Sequence, residues 1–124
     1  MISQMRHSLV AALLIALPST AQAHSWYQNK TDPVYMQSCC GLLDCAPWII
    51  QPGELSAEEH GLRVRLSLER TRQINPLSQA PIDALVIWER VQPSEDGNWH
   101  ICLMSSFRAG DRGGVYCLFQ PPDI

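Results

Sequence analysis

Leu62-Arg63-Val64-Arg65-Leu66-Ser67-Leu68 alternates apolar and polar residues without a break. A period of two is the signature of a half-buried β-strand. The pattern points Leu62, Val64, Leu66 and Leu68 at a core and Arg63 and Arg65 at water. Working outward, three downstream runs also read as strands, at residues 85–91, 99–104 and 115–119. Upstream, Pro47-Trp48-Ile49-Ile50-Gln51 reads as a short strand ended by Pro52-Gly53. Between the second and third of these five lies Glu69 to Ala84, which reads as an irregular connection with Pro76 and Pro81. Pro93-Ser94-Glu95-Asp96-Gly97-Asn98 is a turn, and its Asp-Gly step favours a hairpin. Ser56-Ala57-Glu58-Glu59 fits a capping box, with Gly61 placed to end a helix of one or two turns. The expected fold is therefore mainly β: a small antiparallel sheet or partly closed barrel of about five short strands with one short helix.

A chain of 124 residues allows one domain. Residues 1–23 read as a secretory signal peptide. Arg6 and His7 form a basic start, residues 9–17 an apolar run, and Ala21-Gln22-Ala23 a cleavage site. The run is too short to cross a bilayer, which takes about 20 apolar residues. The expected mature domain is 24–124, exported to the periplasm or beyond the cell and without a stable membrane anchor. Loss of Arg6 makes the formal charge of −3 one unit more negative. No basic stripe remains, so nucleic acid is not an expected partner.

All five cysteines, Cys39, Cys40, Cys45, Cys102 and Cys117, lie in the mature part. Export makes disulfides the default reading and stabilisation by them the expectation. The count is odd, so one thiol stays outside internal bridges or links two chains into a covalent dimer. Five choices of spare and three pairings of the remainder leave the connectivity open. Cys102 and Cys117 would face each other if their strands form a hairpin; alternatively each bonds into the cluster at residues 39–45. Within that cluster, Cys45 paired with Cys39 or Cys40 would make a clasp pinning the aromatic N-terminus, Trp26 and Tyr27, to the sheet.

A metal reading competes. His100-Ile101-Cys102 with the cluster offers imidazole and thiolate, but Cys-Cys-x4-Cys is not the usual C-x2-4-C zinc spacing. His24 suggests copper. After cleavage it would carry both an α-amino group and an imidazole, which resembles the histidine brace of copper-dependent polysaccharide oxygenases and copper carriers. His100 or His60 would supply the second imidazole, with Met36 or Met104 near. Catalysis has no further support: there is no phosphate loop and no HExxH pattern, and no residues are assigned as catalytic.

The set His24-x-Trp26-Tyr27, Cys39-Cys40-x4-Cys45, Pro93-Ser94-x-Asp96-Gly97-x-x-His100-x-Cys102 and Cys117-x-Phe119-x-Pro121-Pro122 resembles an uncharacterised family of small exported proteins of proteobacteria and their phages. The resemblance spans most of the mature chain. It implies export and one compact domain, and it brings no activity with it. The expected function is an exported, disulfide-stabilised binding or structural protein, with copper binding through His24 and His100 as the alternative.

Overall fold

The computed structural model describes residues 26–41 and 44–122. His24 and the expected signal peptide lie outside them. Seven strands form two sheets. The first sheet joins β1 (Cys45–Pro47), β6 (His100–Leu103), β7 (Val115–Gln120) and β5 (Val91–Pro93) in that order. The second joins β2 (Leu55–Ala57), β3 (Gly61–Leu66) and β4 (Ile82–Ile87). All pairings are antiparallel except that of β5 with β7. The fold is thus mainly β, with its strands divided between two sheets and no closed barrel among the described residues.

The alternation in β3 does what it predicts. Leu62, Val64 and Leu66 are buried while Arg65 is exposed. They meet Ile82, Ala84 and Val86 of β4, Ile101 and Leu103 of β6, and Val115 and Leu118 of β7 in one core between the sheets. Leu68 leaves the strand and opens α1 (Leu68–Ile74). This helix was not visible in the sequence. It has seven residues, and only Thr71 and Ile74 are buried, so its apolar stripe is too short to show a period. Ser67 caps it by accepting a hydrogen bond from the Arg70 N–H.

The capping box at Ser56, by contrast, does not start a helix. β2 pairs with β3, Leu55 opposite Val64 and Ala57 opposite Leu62, and the chain turns between Glu58 and Gly61. A ladder of cross-strand bonds outweighs a cap with no room for a helix behind it. Gly61 is required by close approach, not by a helix end: a Cβ there would lie 2.1 Å from the Val86 carbonyl oxygen.

The single run at residues 85–91 is also divided. β4 ends at Ile87, a 3₁₀ turn spans Trp88–Arg90, and β5 then joins the other sheet. The turn through Asp96-Gly97 therefore connects β5 to β6, which are not neighbours. It does not close a hairpin.

Every residue of β6 is buried. Ile101 and Leu103 face the inter-sheet core, while His100 and Cys102 face the other way, as do Cys117 and Phe119 of β7. That second face is covered by the N-terminal segment. Tyr27, Cys39 and Cys45 form a second buried cluster with Cys102, Cys117 and Phe119, and Trp26, Cys40 and Tyr116 pack around it.

Candidate functional site

The chemistry-bearing side chains collect on this second face. The first strand lies upstream of the run Pro47–Gln51, of which only Pro47 belongs to it: Cys45, from the cysteine cluster, is the first residue of β1 and sits directly opposite Cys102. Cys102 is in turn opposite Cys117. The pairing is Cys45–Cys102 and Cys39–Cys117. So the staples run between the cluster and the sheet. The clasp within residues 39–45 is not formed, and neither is the Cys102–Cys117 bridge, although those two residues are register partners. The reason is positional. Cys45 lies on one flank of Cys102 in the same ladder, which sequence spacing alone does not reveal. Cys40 is the cysteine outside both bridges, and it is half-buried.

Tyr27, His100 and Asp96 form a hydrogen-bonded line. Tyr27 Oη lies 3.0 Å from His100 Nδ1. His100 Nε2 lies 2.7 and 2.8 Å from the two Asp96 carboxylate oxygens. A carboxylate only accepts, so Nε2 carries the proton; in the neutral ring Nδ1 then accepts from the Tyr27 hydroxyl. Trp26 closes the group, edge-on to His100 and to Phe119 with ring centroids 4.9 Å apart in each case.

Carboxylate, imidazole and hydroxyl in line is the connectivity of an activated nucleophile. The environment runs the other way. Tyr27 is fully buried, and burial, with Cys40 and Asp96 adding to it, pushes its hydroxyl up to about 12. Asp96 is the exposed end and is fixed by its turn, accepting also from Ser94 Oγ and the Asn98 N–H. Burial alone would raise its carboxyl; the bonds from His100, Asn98 and Ser94 outweigh that and hold it below the usual range. The line anchors the N-terminal segment to β6. Sequence reading found Tyr27 and His100 separately but missed Asp96 as their partner, because the hydroxyl and the carboxylate are 69 positions apart in the chain.

The metal readings meet the same geometry. Ligand atoms of Cys40, Asp44 and Cys45 lie within 4.8 Å of one another. With Cys45 in a disulfide, Cys40 and Asp44 remain as two donors, short of the four that a structural zinc needs. His100 has both ring nitrogens engaged, so copper there would have to displace Tyr27 or Asp96. His60 is exposed on the β2–β3 turn, Met36 is exposed and Met104 is buried. His24, the other half of the brace, falls outside the described residues.

A buried ion pair fixes the turn after Tyr27. Asp32 accepts from Arg90 Nε at 2.6 Å and from the Val34 and Tyr35 N–H groups. Arg90 also donates to the Val115 carbonyl. Burial would raise the Asp32 carboxyl, but the bonds from Tyr35, Arg90 and Val34 prevail and hold it low.

The surface offers an apolar cleft of about 520 Å³, lined by Pro47, Trp48, Ile49, Gly97, Asn98, Trp99 and Pro121. Trp48 and Trp99 meet edge-to-face at 6.2 Å. Trp48 is held from below by Glu54, which accepts its indole N–H and is itself paired with Arg70 at 2.8 Å. Ile49 is 84% exposed at the rim. No helix among the described residues is long and apolar enough to cross a membrane. Comparison of the chain with protein-family models, with curated proteins and with solved structures finds no match to any of them.

Proposed function

We propose that this is an exported, disulfide-stapled protein with a binding or structural role in the periplasm or outside the cell. One observation carries the reading: the polar and thiol chemistry of the second face is spent internally. Tyr27, His100 and Asp96 bond to one another, Asp32 bonds to Arg90, and four cysteines are in bridges. An enzyme keeps such groups facing its substrate. What opens outward is the Trp48–Trp99 cleft, an apolar hollow that Asn98 also lines and that has the size of a small-molecule site.

Expression from the full gene followed by fractionation and intact mass measurement tests this. The expected species lies outside the cytoplasm, starts at His24, carries two disulfides and titrates one thiol after denaturation without reductant. A cytoplasmic species with five thiols would defeat the proposal. Copper addition to the same material separates the alternative: stoichiometric binding that His100→Ala abolishes would replace this reading with the copper one.

A further inference from the structure

We propose that the spare thiol is exchangeable, so that the protein has two covalent isomers: the staple Cys45–Cys102 and a clasp Cys40–Cys45. The geometry of the whole cysteine set points to it. Cys40 Sγ and Cys45 Sγ lie within 4.8 Å of each other, and the Cys45 sulfur is already half of a disulfide. A thiolate beside a disulfide sulfur is the arrangement from which exchange proceeds. Cys40 Sγ gives up its proton to solvent and attacks Cys45 Sγ. The Cys40–Cys45 bond forms, the Cys45–Cys102 bond breaks, and Cys102 leaves as a thiolate and takes up a proton. One disulfide is lost and one gained, so no external oxidant or reductant is consumed.

The exchange has a structural consequence. The staple ties β1 to β6, and β1 runs directly into Pro47, Trp48 and Ile49, which line the apolar cleft. The clasp closes a ring within residues 40–45 and unlinks β1 from β6. The cleft wall then loses its covalent link to β6 and is held by the ladder and by the hydrogen bonds and packing of Trp48. This stands whether or not the cleft binds a ligand.

The resting state favours the staple kinetically. Burial first, then the Asp44 carboxylate, push the Cys40 thiol up to about 11, and the Tyr27 hydroxyl is the other titratable group close by. Only the thiolate attacks, so the exchange rate should rise about tenfold per pH unit between neutrality and that value.

The test is disulfide mapping of the exported protein. Samples are held without reductant at pH 7 and pH 9, then quenched with N-ethylmaleimide in denaturant and cut with trypsin. Cleavage after Lys30, Arg63, Arg90, Arg108 and Arg112 puts Cys39, Cys40 and Cys45 on one peptide, Cys102 on a second and Cys117 on a third. In the staple isomer all three are linked and the label is on Cys40. In the clasp isomer the peptide 91–108 is released with the label on Cys102. The expected result is release that appears sooner at pH 9 and is absent in Cys40→Ser. Label confined to Cys40 at both pH values would overturn the proposal, and so would equal release from Cys40→Ser. A second variant guards against slow exchange. Cys102→Ser, exported and oxidised, should contain a Cys40–Cys45 bridge and no thiol; two thiols there would overturn it equally.

Discussion

Tyr27 and Asp32 show how single residues tie a terminal segment to a sheet. Tyr27→Phe removes one hydroxyl and leaves His100 Nδ1 buried without its donor, a loss of about 1–3 kcal/mol. Urea unfolding should give a lower midpoint with an unchanged slope; an unchanged midpoint would show that Tyr27 contributes by packing alone. The same residue sets an alkaline limit. Its folded pKa, raised to about 12 from an ordinary 10, means that its stabilisation is complete below pH 10 and is lost as the pH climbs to 12. Absorbance titration near 295 nm should show one late phenol that Tyr27→Phe abolishes. Asp32 acts at the other end. Its carboxyl is held below the ordinary range, so its contribution is present above the unfolded pKa and disappears as the pH falls through the lower folded value. Arg90→Met strands Asp32 as an unpaired buried charge at a cost of about 3–5 kcal/mol. It should also weaken the acid limb of the stability profile, because Asp32 then keeps only the Tyr35 and Val34 N–H bonds to hold it ionised. A wild-type acid limb in this variant would remove Asp32 from the account.

At the scale of elements, the useful contrast is between β3 and its neighbours. β3 was legible because its five residues from Leu62 to Leu66 alternate without interruption and their apolar face is buried against β6 and β7. α1 was not, because two buried positions make no period, and its only clear mark is Ser67 at the cap. Ser67→Ala should cost about 1 kcal/mol in a denaturation midpoint, whereas Ser56→Ala should cost little, since Ser56 sits exposed on the edge strand β2. Equal losses would restore the capping-box reading of Ser56. The cysteine cluster was legible as a site but not as a pairing. Nothing local says that Cys45 begins a strand, and only that strand puts it opposite Cys102. Gly61 looked like a helix end because local sequence cannot show the Val86 carbonyl pressing on it. Its replacement by Ala should therefore push β3 and β4 apart and destabilise the protein by well over the 1 kcal/mol or so that a Gly-to-Ala change recovers in a helix.

The whole molecule is two sheets around one core, with a segment of about fifteen residues strapped over the outer face. The strap is the part that small size would otherwise forbid, because a domain of this length buries a thin core and gains much from covalent closure. The two bridges are nested, with separations of 57 and 78 residues. Closing the inner loop first restrains the unfolded chain by about 4 kcal/mol. With it closed, Cys39–Cys117 closes only a ring through residues 39–45 and 102–117, about 20 residues, which adds about 3 kcal/mol. In a Cys40→Ser background, which removes exchange, replacing Cys39 and Cys117 by Ala should cost about 3 kcal/mol of unfolding free energy. Replacing all four bridged cysteines should cost about 7 kcal/mol, most of the stability of an ordinary domain. The outer bridge should matter more to the strap than to the core. After its removal alone, amide exchange should quicken at residues 26–39 while β3 and β4 stay protected. If the two sheets lost protection together with the strap, the second face would be an integral part of the core, and the strap would not be a separately stapled layer.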